Sequence, residues 1–272
     1  MVTTTTQLTD LAHAVGGERV EVYDVVKANI DPHDFEPSPA DLKAMAEADV
    51  LVENGVGLES WFDQAVRSAG SRGHAVDAST GVKIRKAVGS GEKDTAGDPH
   101  IWQDPRNAQV IVHHIARAFE RADTAHRAEY RRNEAVYSAK LAALDRHVAA
   151  ALAKLANKQV VTNHDAFGYY IDRYRLVFVG SIIPSFDSQA ELSATDIQHI
   201  VARIKHTGVK AIFSESSLPA KTAETIAREA GVKVIAGPDA LYGDSLGPPG
   251  SDGDTYLKMI RHNTKEIVDN LA

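Results

Sequence analysis

The sequence predicts an α/β protein: two α/β lobes with mainly parallel sheets, joined by one long backbone helix, and a ligand site in the cleft between them. Three observations lead there. Residues 106–166 contain neither Gly nor Pro in a chain with 19 Gly and 10 Pro. Strand-like and helix-like runs alternate on both sides of that stretch, the pattern of a parallel sheet covered by helices. The length, 272 residues, suits two lobes of about 100–150 residues each better than one core.

In order along the chain, Val2–Thr6 reads as a strand, Leu8–Val15 as a helix and Arg19–Val26 as a strand. Ala40–Ala48 is helical after a Pro-rich turn, Asp49–Glu53 has the apolar run of a buried strand, Glu59–Ser68 is a helix and His74–Asp77 a short strand. Residues 88–97 (VGSGEKDTAG) form a polar, Gly-containing loop. A helix over Asn107–Ala122 follows, and Asp123 and Thr124 supply the cap at which the long helix starts. Its apolar stripe is Tyr137, Leu141, Leu144, Val148, Leu152 and Leu155, spaced by three and four with polar residues around it. From Thr124 to Ala156 it would span roughly 50 Å, more than the width of one small domain. The second alternation has strands at Gln159–Thr162, Leu176–Val179, Lys210–Ser214 and Lys233–Ala236, and helices at Ala194–Lys205, Ala220–Ala230 and Thr255–Leu271. The expected organisation is an N-terminal lobe over 1–122, a linking helix over 123–157 and a C-terminal lobe over 158–272.

A formal charge of −7 argues against a nucleic-acid partner, which selects a basic face. The absence of Cys excludes thiolate metal sites, disulfides and cysteine nucleophiles. No apolar run reaches the ~18–20 residues of a membrane span. The opening MVTTTTQL is strand-like rather than a leader, and Met1 reads as an initiator set before a mature chain.

Of the twelve histidines, His13, His113, His114, His126, His147, His199, His206 and His262 fall in expected helices and read as packed or solvated helix residues. His33 in DPHDFEPSP, His100 in DPHIWQDP and His164 in TNHDAFGYY instead sit among turn formers at loop or strand ends, where α/β folds place ligands. Two follow Asp-Pro, which restricts the local backbone. Asp244, in the Gly- and Pro-rich LYGDSLGPPG, adds a carboxylate. Three imidazoles and a carboxylate suit a borderline divalent ion such as zinc, held here by both lobes.

The pieces VTTTTQLTDLAHAVGG, DPHDFEPSPADL, NGVGLESW, DPHIWQDP, NHDAFGYY, FSESSL and DSLGPPGSDGDTYLKMIRHN span almost the whole chain. They resemble the zinc- and manganese-binding solute-binding proteins of ABC importers. The resemblance implies the same two-lobed fold, with metal ligands at His33, His100, His164 and Asp244. It also implies capture of one Zn²⁺ per chain, with Mn²⁺ the alternative, and delivery to a membrane permease. The location it implies is extracytoplasmic, in the periplasm or at the cell surface. The protein would act as a monomer, with membrane association only through a lipid anchor upstream of residue 1. Two departures stand out. The His-rich loop that zinc receptors often carry before the second ligand is replaced by the short GSGEKDTAGD. The Glu usual at the third ligand of manganese receptors is His164. Around the ligands, Asp34, Glu36, Asp165 and Glu215 are candidates to orient the imidazoles, and Trp102, Phe35 and Phe167 to wall the site from water. The rival readings are a mononuclear zinc hydrolase with Asp244 as base, and a surface adhesin using the same fold.

Overall fold

The computed structural model describes residues 1–86 and 96–272, so most of the loop expected at 88–97 lies outside the described residues. Two four-stranded parallel sheets form. The first contains β1 (Val2–Thr3), β2 (Tyr23–Asp24), β3 (Val50–Glu53) and β4 (His74–Asp77) in the order β2-β1-β3-β4. The second contains β5 (Gln159–His164), β6 (Val177–Ile183), β7 (Ala211–Phe213) and β8 (Lys233–Ile235) in the order β6-β5-β7-β8. The two orders are the same: the first strand of each sheet sends the chain to one side, then across to the other. No sequence repeat announces this. Each sheet therefore has a topological switch point, between β1 and β3 and between β5 and β7, where loops diverge and leave a crevice at the strands' carboxyl ends.

The helices are α1 (Thr6–Gly16), α2 (Pro39–Glu47), α3 (Phe62–Ala69), α4 (Pro105–Ala122), α5 (Arg127–Leu152), α6 (Gly168–Tyr174), α7 (Ala194–Thr207), α8 (Lys221–Ala230) and α9 (Tyr256–Leu271). Local chemistry sets their starts. The Thr5 hydroxyl accepts from the Leu8 N–H to cap α1. Ser38 with Asp41, and Ser193 with Asp196, form reciprocal capping boxes on α2 and α7.

The linking helix is shorter than its stripe suggests. Thr124–His126 is a single 3₁₀ turn, and the α-helix proper is α5, 26 residues or about 39 Å long. At its start the Asp123 carboxylate accepts from the Ala125 N–H, from His126 Nδ1 and from the Tyr130 hydroxyl, which holds a turn in place of helix. At its end Lys154 and Leu155 donate to the carbonyls three residues back, so the helix tightens and stops before Ala156. The stripe nevertheless does its expected work. Leu141, Leu144, Val148 and Leu152 are fully buried in one core that also takes in Leu11, Val15 and Ile111 from one side and Phe213, Met259 and Ile260 from the other.

Two other elements differ from expectation. The strand anticipated over Arg19–Val26 is only Tyr23–Asp24, because its partner β1 ends at Thr3, where the chain turns into α1; Gly17–Arg19 is a 3₁₀ turn. Helix α6 was not anticipated. Its sequence, GYYIDRY, is rich in aromatic and β-branched residues of modest helix propensity, and burial of Tyr169, Tyr170, Ile171 and Tyr174 drives it.

Candidate metal centre

Each of the four residues lies at or beyond a strand's carboxyl end. His164 is the last residue of β5, beside the switch point with β7. His33 is in the loop after β2, and His100 is on the segment leading into α4. Asp244 follows Leu241, which bridges in parallel to Glu215 just past β7. The Asp244 loop is clamped from two sides. Asn263 of α9 accepts from the Tyr242 N–H (2.9 Å) and donates to the Tyr242 carbonyl (2.8 Å). The Gly243 carbonyl accepts from Trp102 Nε1 (3.0 Å) and Gln103 Nε2 (3.1 Å). Gly243 is obligatory, since a Cβ there would lie 1.9 Å from Glu215 Oε2.

The four side chains converge, one ligand atom from each lying within 4.8 Å of the others. His100 Nε2 is 3.3 Å from His33 Nε2 and 3.3 Å from His164 Nε2. The Asp244 carboxylate is 3.6 Å from His33 Nε2, 3.3 Å from His100 Nε2 and 3.2 Å from His164 Nε2. A tetrahedron around an ion with bonds of 2.0–2.1 Å has edges of about 3.3–3.4 Å. These five separations, two between Nε2 atoms and three to one or other Asp244 oxygen, are close to that edge length. The side chains of His100, His164 and Asp244 are wholly buried, and the polar groups that approach the Asp244 oxygens are the imidazoles of His33, His100 and His164. A buried carboxylate is costly unless positive charge faces it. Of the four, His33 is nearest solvent, at the edge of a depression of about 250 Å³ that also includes Val56, Leu58, Phe186 and Asp187. Among the described residues no other group of His, Asp and Glu side chains converges in this way.

The imidazoles are held by carboxylates on their far side. Glu215 Oε1 lies 2.7 Å from His164 Nδ1 and also accepts the His164 N–H (3.2 Å). Asp98 Oδ1 lies 2.7 Å from His100 Nδ1 and accepts the His100 N–H (3.0 Å). Asp31 accepts the His33 N–H (2.9 Å) in the same Asp-Pro-His geometry. The shared DPH context thus has a physical meaning: the aspartate two residues back pins the backbone of each histidine. Asn54, past the end of β3, donates to the Pro99 carbonyl (2.8 Å) and steadies the residue before His100.

Burial opposes charge on these rings, and their partners decide the outcome. At His100 burial is outweighed by Asp244 and Asp98, which lift the pKa to about 9. At His164 it is outweighed by Glu215 and Asp244, and the pKa lies well above the ordinary value. At His33 burial wins over the pull of Asp244, and the pKa falls to about 4. Burial would raise the Asp244 pKa, but His164 and His100 hold it well below the usual carboxylate range.

Of the expected surrounding residues, Glu215 and Trp102 are in place, the Trp102 ring lying 5.3 Å from that of His100. Asp34 is not: it is exposed, as is Glu36, because the turn that caps His33 uses Asp31 and leaves the following residues facing outward. Phe167 is buried in the main core, and Phe35 packs on Trp61. The aromatic ring flanking His100 opposite Trp102 is Phe186, at 6.4 Å. Asp165 faces Arg85 Nη1 at 3.6 Å and not an imidazole partner. Sequence reasoning missed Asp98 and Asn54; the first was legible as the Asp of the second DPH, and the second carries no local signal.

Known proteins resemble this chain over essentially its whole length. Residues 1–270 match the family described as "ZnuA: Zinc-uptake complex component A periplasmic". The manganese ABC transporter substrate-binding lipoprotein PsaA of Streptococcus pneumoniae is 27% identical over 279 residues, which cover 100% of this chain and 88% of that protein. The iron ABC transporter substrate-binding lipoprotein MtsA of Streptococcus pyogenes serotype M1 is 27% identical over 280 residues, with the same coverage of 100% and 88%. The solved structure of the periplasmic zinc-binding protein TroA from Treponema pallidum superposes with a TM-score of 0.90 at 25% identity, covering 100% of this chain and 98% of that one. A hydrolase is thereby set aside. The chain belongs to the ZnuA family of metal-binding receptors that serve ABC importers, and it is a binding protein, not an enzyme.

Proposed function

We propose that His33, His100, His164 and Asp244 bind one divalent transition-metal ion per chain, zinc in preference to manganese, as cargo for a permease. The observation that carries this reading is the convergence of three imidazoles on one buried carboxylate, at separations close to the edge of a tetrahedral shell. Three imidazoles and one carboxylate favour a borderline ion, whereas a harder ion such as Mn²⁺ gains from more oxygen ligands. The ion would approach from the depression beside His33 and lose its water as the wholly buried ligands close around it. The protein acts outside the cytoplasm as a monomer and reaches the membrane by docking on the permease or through a lipid anchor.

Competitive titration of the metal-free protein with Zn²⁺ and Mn²⁺, beside a His164→Glu variant, tests this. Zinc binds with one-to-one stoichiometry and much more tightly than manganese, and His164→Glu narrows the difference. Comparable affinities would overturn the zinc preference. Failure of either ion to bind stoichiometrically would overturn the ligand assignment.

A further inference from the structure

Arg85 is not one of the four ligands, yet its guanidinium reaches the carboxylate behind His100 and the residue that follows His164. Nη1 lies 3.1 Å from Asp98 Oδ2, and Nε lies 3.0 Å from Asp172 Oδ2 on α6. Nη1 is also 3.6 Å from Oδ1 of Asp165, the residue after His164. Asp98 thus uses one oxygen for His100 and the other for Arg85. The side chain is 14% exposed and packs over the Phe186 ring, 6.0 Å away. The backbone is pinned as well. The Arg85 carbonyl accepts from the Asp98 N–H (2.8 Å), and its N–H donates to the Tyr169 hydroxyl (3.0 Å), which donates in turn to the Asp98 carbonyl (2.9 Å).

We infer that Arg85 is a positioning residue for metal retention: it locks the Asp98–His100 pair in register with the His164 segment across the boundary between the two sheets. The inference rests on the reading of His100 and His164 as metal ligands. A carboxylate that bonds an imidazole through one oxygen holds that ring only as firmly as its other oxygen is held. A planar guanidinium can serve Asp98, Asp165 and Asp172 together through its fixed fork. A lysine in its place would be a mobile point charge. Gly168, the first residue of α6, is what lets the guanidinium lie there. A Cβ at that position would come within 2.0 Å of Arg85 Nη1 and 2.3 Å of its Cζ.

Gly168 therefore offers a way to move the guanidinium without removing its charge. The experiment measures Zn²⁺ dissociation by a chromophoric-chelator chase, and the visible spectrum of the Co²⁺-loaded protein, for wild type, Arg85→Met, Arg85→Lys, Gly168→Ala and Asp172→Asn. Wild-type stoichiometric loading checks the ligand reading by itself, and circular dichroism checks folding. Arg85→Met releases zinc about 10–100-fold faster, the range for losing support behind a metal-bound histidine. Arg85→Lys and Gly168→Ala release it several-fold faster, and all three shift the Co²⁺ bands. Asp172→Asn, which removes only the exposed limb, stays near wild type. Should Arg85→Met fail to fold, the lysine and alanine variants carry the test. Unchanged dissociation and Co²⁺ spectra in folded variants with intact stoichiometry would overturn the inference. So would an effect of Arg85→Met with none from Gly168→Ala, since charge and not position would then be acting.

Discussion

Metal binding should be strongly proton-linked. His100 and His164 each lie between two carboxylates: Nδ1 is 2.7 Å from Asp98 or Glu215, and Nε2 is 3.3 or 3.2 Å from Asp244. A ring facing acceptors on both sides is held doubly protonated. Its pKa is about 9 for His100 and lies well above the ordinary value for His164. A metal ion needs the Nε2 lone pair, so binding expels the proton from each ring. His33, lowered to about 4, is already neutral and contributes no proton near neutrality. His100 gives up one proton below pH 9 and His164, raised in the same direction, gives up a second, so log Ka rises with pH by up to about two per unit. Between pH 6 and 8 that is a gain of up to about 10⁴ in affinity, about 5.4 kcal/mol at 1.36 kcal/mol per unit. Zinc affinity measured by chelator competition across that range tests this, as does proton release from calorimetry in two buffers of different ionisation enthalpy. A slope below one-half over pH 6–8 would refute the reasoning, because it would mean the rings are neutral before the metal arrives. An ordinary histidine pKa near 6.5 would place the change lower and make it shallower; the carboxylates behind and beside the rings move it up.

Other outcomes follow from individual contacts. Asp244→Ala removes the buried carboxylate and should abolish stoichiometric zinc binding while the fold persists in circular dichroism; retention of wild-type affinity would remove Asp244 from the ligand set. Glu215→Gln keeps the shape behind His164 but not the charge, and should weaken zinc binding about 10–100-fold in the same competition assay. Leu144→Ala opens a hole in the fully buried stripe of α5 and should cost about 2–5 kcal/mol in denaturant unfolding. At Asp24 burial raises the carboxyl pKa to about 6. A raised carboxylate pKa makes a contribution present below its unfolded value near 4 and lost as pH rises through about 6. Asp24→Asn should therefore stabilise the protein at pH 8 relative to wild type by about 1 kcal/mol, after discounting for partial exposure, with no such gain at pH 4.

Much of this molecule is legible in its residues because the relevant signals are local. The three-and-four spacing of Leu141, Leu144, Val148 and Leu152 is periodic along one segment, and burial of an apolar stripe follows from periodicity whatever the fold around it. The Gly- and Pro-punctuated alternation of strands and helices announces parallel sheets. The histidines that matter stand out from the other nine by their turn-forming neighbours. Helix ends were less legible. At Asp123 the choice between continuing the helix and making a turn rests on three competing hydrogen bonds, one of them from Tyr130 seven residues on.

The α/β class, the helical spine and the four converging side chains can each be read from the residues, since each is encoded by a periodicity or a motif within a short window. Which carboxylate supports His164 follows from the folded chain alone, because that depends on where loops end in space. Glu215 reaches His164 from 51 positions along the chain, Asp31 and not Asp34 holds the His33 backbone, and Arg85 bonds both Asp98 and, 87 positions on, Asp172 of α6. The tertiary structure also set the protonation of the rings, because an imidazole's pKa is fixed by burial and by the charges packed against it, neither of which is a property of its neighbours in the chain.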